Sequence, residues 1–265
     1  MEIKKVKLFP NNNDKSLKLA KYLNNKLLEQ GFILDDDNYV LAIAIGGDGS
    51  YLRMLKETEF NSNIYYIGIN TGTLGFLQEI KPEEINTFLH KLKEGFYKIE
   101  QIGIQETTIT TTKTEEYFYS LNEILIRDKN LKTTNLLVKI DDVILEKYTG
   151  DGLLIATSIG STAYNLSLGG SIVYSDLHTL QITPVAPLNT RSYRNILNSI
   201  VIPESKIIDI IPGNNNKDLM IIVDGENNIY NNVEKISTSV SKKKIKCLRM
   251  NDYDYTKIIN DKFLK

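Results

Sequence analysis

The chain has one cysteine, two histidines and no tryptophan among 265 residues. With Cys247 alone, no intrachain disulfide and no cysteine-based metal centre can form. Its neighbours Ile245, Leu248 and Met250 mark it as a small buried hydrophobe rather than a nucleophile. His90 and His178 fall in no motif and read as surface or packing residues. Neither charge sign dominates. The 32 basic residues against 33 acidic ones leave a net charge of −1, so no global basic field draws nucleic acid or an acidic membrane. The one lysine run, Lys242-Lys243-Lys244, reads as a solvated edge or hairpin. No apolar run is long enough to span a bilayer, and Met1–Phe9 lacks the apolar core of a signal peptide. These absences predict a cytoplasmic protein that engages neither membranes nor nucleic acid. No internal repeat, Pro/Ser-rich linker or low-complexity tract divides the chain.

What is present centres on Gly46-Gly47-Asp48-Gly49-Ser50. The apolar run Tyr39–Ile45 leads into it as a buried strand, and Tyr51–Glu57 follows as a helix. Glycines at a strand-to-helix turn let the backbone approach a ligand, and the helix N-terminus favours a phosphate. Asp48 would repel a phosphate unless it has another task. Two tasks fit: holding a divalent cation, or taking a proton from an attacking hydroxyl. The plainer reading of the loop alone is a tight turn with Asp48 as a helix cap. It is neither a Walker A loop nor a dinucleotide fingerprint, because the Gly-Lys-Ser/Thr ending and the G-x-G-x-x-G spacing are both absent.

In chain order, Lys4–Phe9 reads as a strand, and a helix capped by Asp14 runs to Gly31. Ile64–Ile69 reads as a strand ending in a second glycine loop, Asn70–Phe76, and Pro82 opens a further helix. Alternating strands and helices predict a parallel sheet whose ligands bind at the strand carboxyl ends, where both glycine loops lie. From about Ile99 short alternating strands take over, with Asp141-Asp142 as a hairpin turn. The expected architecture is a parallel α/β domain over 1–98, with the helical tail 249–265 returning to it, and a β-sandwich domain over 99–248.

The second domain carries further polar motifs. Asn122-Glu123 interrupts an apolar run; it grips a ribose or base edge, or it is one exposed face of a strand. Ser161–Asn165, with Ser167 and Gly169-Gly170, suits a nucleotide-binding turn in which Tyr164 packs on a base and Thr162, Asn165 and Ser167 supply hydrogen bonds. The plainer reading is a capped turn with Tyr164 in the core. Gly150-Asp151-Gly152 and Asp224-Gly225 read alone as turns, the latter with a possible binding carboxylate. Gly213–Asn216 reads as a loop.

Taken in order, Gly46–Ser50, Asn70–Phe76, Leu121-Asn122-Glu123, Gly150-Asp151-Gly152, Gly160–Ser167 and Val223-Asp224-Gly225 resemble the NAD kinase family, most of all its short bacterial form. The resemblance covers nearly the whole chain. It implies a Rossmann-like α/β domain, a C-terminal β domain and an active site in the cleft between them. It implies transfer of phosphate from ATP, with a divalent cation such as Mg²⁺, to the 2′-hydroxyl of the adenosine ribose of NAD. It makes Asp48 the catalytic residue, with Gly49 beside it. By the same resemblance Asn122, Glu123, Thr162, Ala163, Tyr164 and Ser167 hold the adenosine half. Asp151 and Ala186 attach to the nicotinamide half, and Asp224 lies near the nucleotide. Homo-oligomers, dimers or tetramers, are implied, with part of the site supplied across a subunit interface.

The chain departs from the family pattern in places. Ser50 replaces a usual Thr and keeps the hydroxyl. Thr149, placed in the binding set, stands where a basic residue is frequent, so a phosphate or interface contact is lost. Leu188 replaces a frequent histidine, and Arg191 and Arg194 have no assigned role. Arg53 is a phosphate clamp or a solvated helix residue. Two other readings compete: a lipid or sugar kinase sharing only the Gly-Gly-Asp-Gly loop, and a dinucleotide sensor without turnover.

Overall fold

A computed structural model describes residues 3–72 and 75–264. The chain falls into two compact units, Met1–Ile102 with Lys244–Lys265, and Gly103–Lys243.

The first unit opens with β1 (Lys5–Pro10), α1 (Asp14–Glu29), β2 (Ile33–Leu34), β3 (Leu41–Gly46), α2 (Asp48–Glu57), β4 (Tyr65–Asn70) and α3 (Ile85–Glu94). The strands pair in parallel in the order β2-β1-β3-β4. Every residue of β3 is buried, which is why its sequence is an unbroken apolar run. Leu23 and Leu27 of α1 and Phe88, Leu89 and Leu92 of α3 pack with Ile43, Ile45 and Ile67 in one core. Asn13, not Asp14, caps α1: its side chain accepts the Ser16 N–H, and Asp14 sits in the first turn, where its charge suits the helix dipole. Pro82 begins a 3₁₀ turn, Pro82–Glu84, that leads into α3.

The second unit is antiparallel. β5 (Tyr97–Thr111) enters it, followed by β6 (Glu115–Ser120), β7 (Glu123–Asp128), β8 (Thr134–Ile140), β9 (Val143–Gly150) and β10 (Gly152–Thr157). After a short α4 (Tyr164–Ser167) come β11 (Thr179–Val185), β12 (Ile200–Pro203), β13 (Ile208–Pro212), β14 (Leu219–Val223) and β15 (Glu226–Tyr230). One sheet runs β12-β11-β10-β7-β14-β15. The facing strands are β9-β8-β13, the first half of β16 (Val233–Met250), and the β5–β6 pair. Ile124, Ile126 and Ile155 from the first sheet meet Val138, Ile210 and Ile236 from the second in a sandwich core. Asp141 and Asp142 turn between β8 and β9 with φ of 47° and 66°, the two left-handed residues that a tight hairpin requires.

The lysine run is not a hairpin, although Lys242 is exposed. It lies inside β16, and the Lys243 ammonium sits 4.6 Å from the Tyr119 ring centroid. The end of β16 belongs to the first unit, where Lys246 and Cys247 pair in parallel with Tyr65 and Tyr66 of β4. Cys247 is buried and lies 3.1 Å from the Tyr51 hydroxyl. Arg249 follows, 6% exposed, donating to Glu100 at 2.6 Å, with Glu79 at 3.5 Å and the Tyr253 ring at 4.2 Å. α5 (Tyr255–Phe263) closes the described chain. Among the described residues no helix is long and apolar enough to cross a membrane.

Candidate functional site

In the first unit the site is built around Asp48. β3 ends at Gly46, and Asp48 is the first residue of α2, with Gly47 as an N-cap lacking any side-chain bond. The Asp48 carboxylate is therefore free to reach out of the helix. It accepts the backbone N–H of Phe76 at 2.9 Å through one oxygen and that of Leu77 at 3.0 Å through the other. The second glycine loop thus wraps the carboxylate of the first. Gly75 lies so close that a Cβ there would stand 1.8 Å from an Asp48 oxygen. Gln78, buried, donates to the Gly47 carbonyl at 2.8 Å and locks the two loops once more. Of this second loop, Thr73 and Leu74 lie outside the described residues. Gly47 and Gly49 are exposed beside Asp48. Arg53 donates to the Pro10 carbonyl at 2.7 Å and pairs with Glu57 at 3.4 Å, tying α2 to the end of β1.

In the second unit a different cluster forms where β7 begins. Glu123 is not on an exposed strand face; it is buried, because β7 is covered on both sides. Ile124 and Ile126 face the sandwich core, and Leu125 joins Leu154, Ala156 and Leu168 on the other face. Its carboxyl takes the Tyr164 N–H, and the second oxygen, Oε2, has no hydrogen-bond partner. Burial and the neighbouring Asp224 charge push the Glu123 carboxyl up to about 8, so it is largely protonated at neutral pH. Asp224, left-handed at φ 47°, turns β14 into β15 and accepts the N–H groups of Leu121, Asn122 and Glu123 at 2.8, 2.7 and 3.1 Å. Burial lifts Asp224 to about 6, with those three donors working against the shift.

The stretch after β10 closes over this cluster. A Cβ on Gly160 would lie 2.0 Å from the Asn122 carbonyl oxygen, so glycine is what lets the two segments touch. Tyr164 is 43% exposed and does not join the core. Thr162 and Ala163 are half-buried, and Ser167 is exposed. Asn165 is different from the expectation of a ligand-binding amide. It is fully buried, taking the Thr183 hydroxyl at 2.6 Å and donating to the Ser161 carbonyl at 3.1 Å, so its polar atoms are used within the fold.

The remaining predicted residues group elsewhere in the same unit. Thr149 is buried, its hydroxyl on Asn135 and its backbone bracketed by the Asn195 side chain. Asp151 is exposed, and Ala186, also exposed, has a left-handed φ of 44°. Gly213–Asn216 is more than a loop: Asn216 is buried and bonds Asn135, Asp128 and the Thr133 carbonyl. Sequence reading missed the roles of the Phe76 and Leu77 N–H groups and of Gln78. Their signal was faint, a polar residue two positions after a glycine loop.

Among the described residues no three His, Cys, Asp or Glu side chains converge as a metal-binding group.

The chain matches the ATP-NAD kinase N-terminal domain over residues 11–97 and the ATP-NAD kinase C-terminal domain over residues 121–250. It is 38% identical to the NAD kinase of Finegoldia magna over 98% of this chain and 97% of that relative. In fold it is similar to the crystal structure of yeast NADH kinase complexed with NADH, with a TM-score of 0.82 at 21% identity over 98% of this chain and 87% of the other. It is also similar to an NAD kinase from Archaeoglobus fulgidus in complex with ATP, with a TM-score of 0.76 at 22% identity over 98% of each chain. With both domains present in order and one relative aligned along nearly its whole length, the chain belongs to the ATP-NAD kinase family.

Proposed function

We propose how this kinase, which converts NAD and ATP to NADP and ADP, divides the work among its residues. Asp48 is the general base. A carboxylate offers about four lone-pair positions, and two are taken by the Phe76 and Leu77 N–H groups. Those two bonds fix the carboxylate's orientation and leave lone pairs for the 2′-hydroxyl of the adenosine ribose. As the new O–P bond forms, the hydroxyl proton passes to Asp48 and ADP leaves. The start of α2, with Gly47 and Gly49 exposed, accepts donor phosphate at a helix N-terminus.

The second unit holds the acceptor. Asn122, Glu123, Thr162, Ala163, Tyr164 and Ser167 take the adenosine half, with the exposed Tyr164 ring available for stacking. Asp224 fixes the backbone from which Asn122 and Glu123 project. Asp151 and Ala186 take the nicotinamide half, and Thr149 holds the segment carrying Ala186 through Asn195. A divalent cation such as Mg²⁺ would be held mainly by the ATP phosphates and would supply charge neutralisation there. The protein acts in the cytoplasm as a homo-oligomer, a dimer or tetramer. The exposed Val143, Ile144 and Ile207 beside the β8–β9 turn support that assembly.

The observation that carries the mechanism is the Asp48 carboxylate held by two backbone donors at the head of α2. The test incubates purified protein with NAD and Mg-ATP and quantifies NADP with an NADP-specific dehydrogenase. Wild type should yield NADP. Asp48→Asn should keep NAD binding by calorimetry and lose turnover by orders of magnitude. Near-full activity in that variant would remove Asp48 from the chemistry.

A further inference from the structure

The segment that cradles Asp48 is itself touched from outside. The Phe76 ring packs on Phe263 of α5, centroids 5.6 Å apart and planes tilted by 39°. The Lys262 ammonium lies 5.8 Å from the same ring centroid. α5 contains no buried residue, so it adds little to the core. Its position is nevertheless fixed from its other end. Asp254 caps it by accepting the Thr256 and Lys257 N–H groups. Just before the cap, Tyr253 stacks on the buried Arg249, and Met250 donates its N–H to Glu79 at 2.6 Å. A helix held this firmly at its start, with an aromatic side chain in its last turn against Phe76, has the form of a brace.

We propose that Phe263 is a positioning residue for phosphoryl transfer: by holding Phe76 it fixes the backbone N–H groups that orient the Asp48 carboxylate. This rests on the reading of Asp48 as the base. The chain of contacts is short, from the Phe263 ring to the Phe76 ring, and from the Phe76 and Leu77 amides to the two Asp48 oxygens. Leu77 and Gln78 are buried and anchor the segment on its inner side. Phe76 is half-buried, and Phe263, itself 44% exposed, is its ring partner from α5. Without Phe263 the Phe76 end of the segment loses a contact that restrains it, and a carboxylate displaced by about 1 Å can lose a hundredfold in rate.

The experiment compares full-length wild type, Phe263→Ala and Phe263→Leu. It measures kcat and KM for NAD separately, thermal midpoint, and hydrogen exchange at the Phe76 and Leu77 amides. Phe263→Ala should lower kcat by about ten- to a hundredfold. KM for NAD should stay within about twofold, because the acceptor residues are untouched. The two amides should exchange faster, the thermal midpoint should hardly move, and Phe263→Leu should recover most of the rate. Unchanged kcat and unchanged exchange in Phe263→Ala would overturn the proposal, as would a loss of kcat that simply follows a fall in thermal midpoint. A wild type that forms no NADP would instead count against Asp48 as the base. Amide exchange would then still decide whether Phe263 holds the loop.

Discussion

Asp224 acts on Glu123 in two opposite ways. Its carboxylate accepts the Glu123 backbone N–H at 3.1 Å and fixes that residue's position. Its charge, added to burial, drives the Glu123 side chain toward the neutral form, up to about 8. The pair is a strand terminus locked by one carboxyl and made a hydrogen-bond donor by the same neighbour.

Stability should therefore depend on pH through Glu123. Its ordinary value is 4.5 and its folded value about 8, so the native state binds more protons across that window. By linkage, the stability this group contributes is full below about 4.5 and is lost as pH rises toward about 8. Glu123→Gln keeps the shape and removes the titration. Its thermal midpoint should gain on wild type as pH rises from 5 to 8, by an amount corresponding to roughly a few kcal/mol at most. An equal offset at every pH would show that Glu123 is ionised in the folded protein.

Gly75→Ala should be a severe activity mutant. The added methyl would stand 1.8 Å from an Asp48 oxygen, so carboxylate or loop must move. We expect kcat to fall about a hundredfold or more while NAD binding persists. Steady-state kinetics with calorimetry checks it, and a wild-type kcat would show that the Asp48 orientation is not needed.

Tyr164→Ala should separate the two substrates. The ring is 43% exposed and contributes little to the core, so the thermal midpoint should hold. Loss of a stacking face costs about 1–3 kcal/mol where a base sits on it. NAD affinity should fall by that amount and ATP affinity far less. Equal losses would move Tyr164 away from the acceptor.

Arg249→Met should be the most destabilising of these changes. It strips Glu79 and Glu100 of their buried partner and leaves two carboxyls facing an apolar side chain. Breaking a buried ion pair costs about 3–5 kcal/mol. Denaturant unfolding should show that loss at neutral pH, and part of it should return in acid as the carboxyls protonate.

Much of the architecture was legible because local chemistry dictates it. Six buried residues in β3 write a continuous apolar run, and glycines mark where it turns into α2. Two aspartates at φ 47° and 66° write a hairpin. What stayed hidden depends on neighbours distant in sequence. Glu123 looked like half of an alternating strand, and only the Leu125 and Leu168 packing on the far face of its sheet shows that both sides are covered. Asn165 sat in a motif rich in hydrogen-bonding residues, yet Thr183 and the Ser161 carbonyl use its amide. Three lysines suggested a solvated edge or hairpin, while β16 carries them inside a strand of 18 residues. A long side chain can lie on a strand with its charge at the surface, so charge alone does not break a strand.

That same strand sets an order of events during synthesis. Tyr65 and Tyr66 on β4 wait for Lys246 and Cys247, which the ribosome makes only after all of Gly103–Lys243. Ile80 pairs with Ile69 in the second half of β4, but until then the Tyr65–Tyr66 end is an unpaired strand edge, open to another chain. The second unit can be cut out as one continuous stretch, whereas the first cannot be made without a join between Ile102 and Lys244. Release of the nascent chain short of β16 would leave a sheet lacking its last strand, and contacts this distant in sequence are the slow ones to form. Any nascent chain released after β4 but before β16 therefore lacks the partner that Lys246 and Cys247 give to Tyr65 and Tyr66.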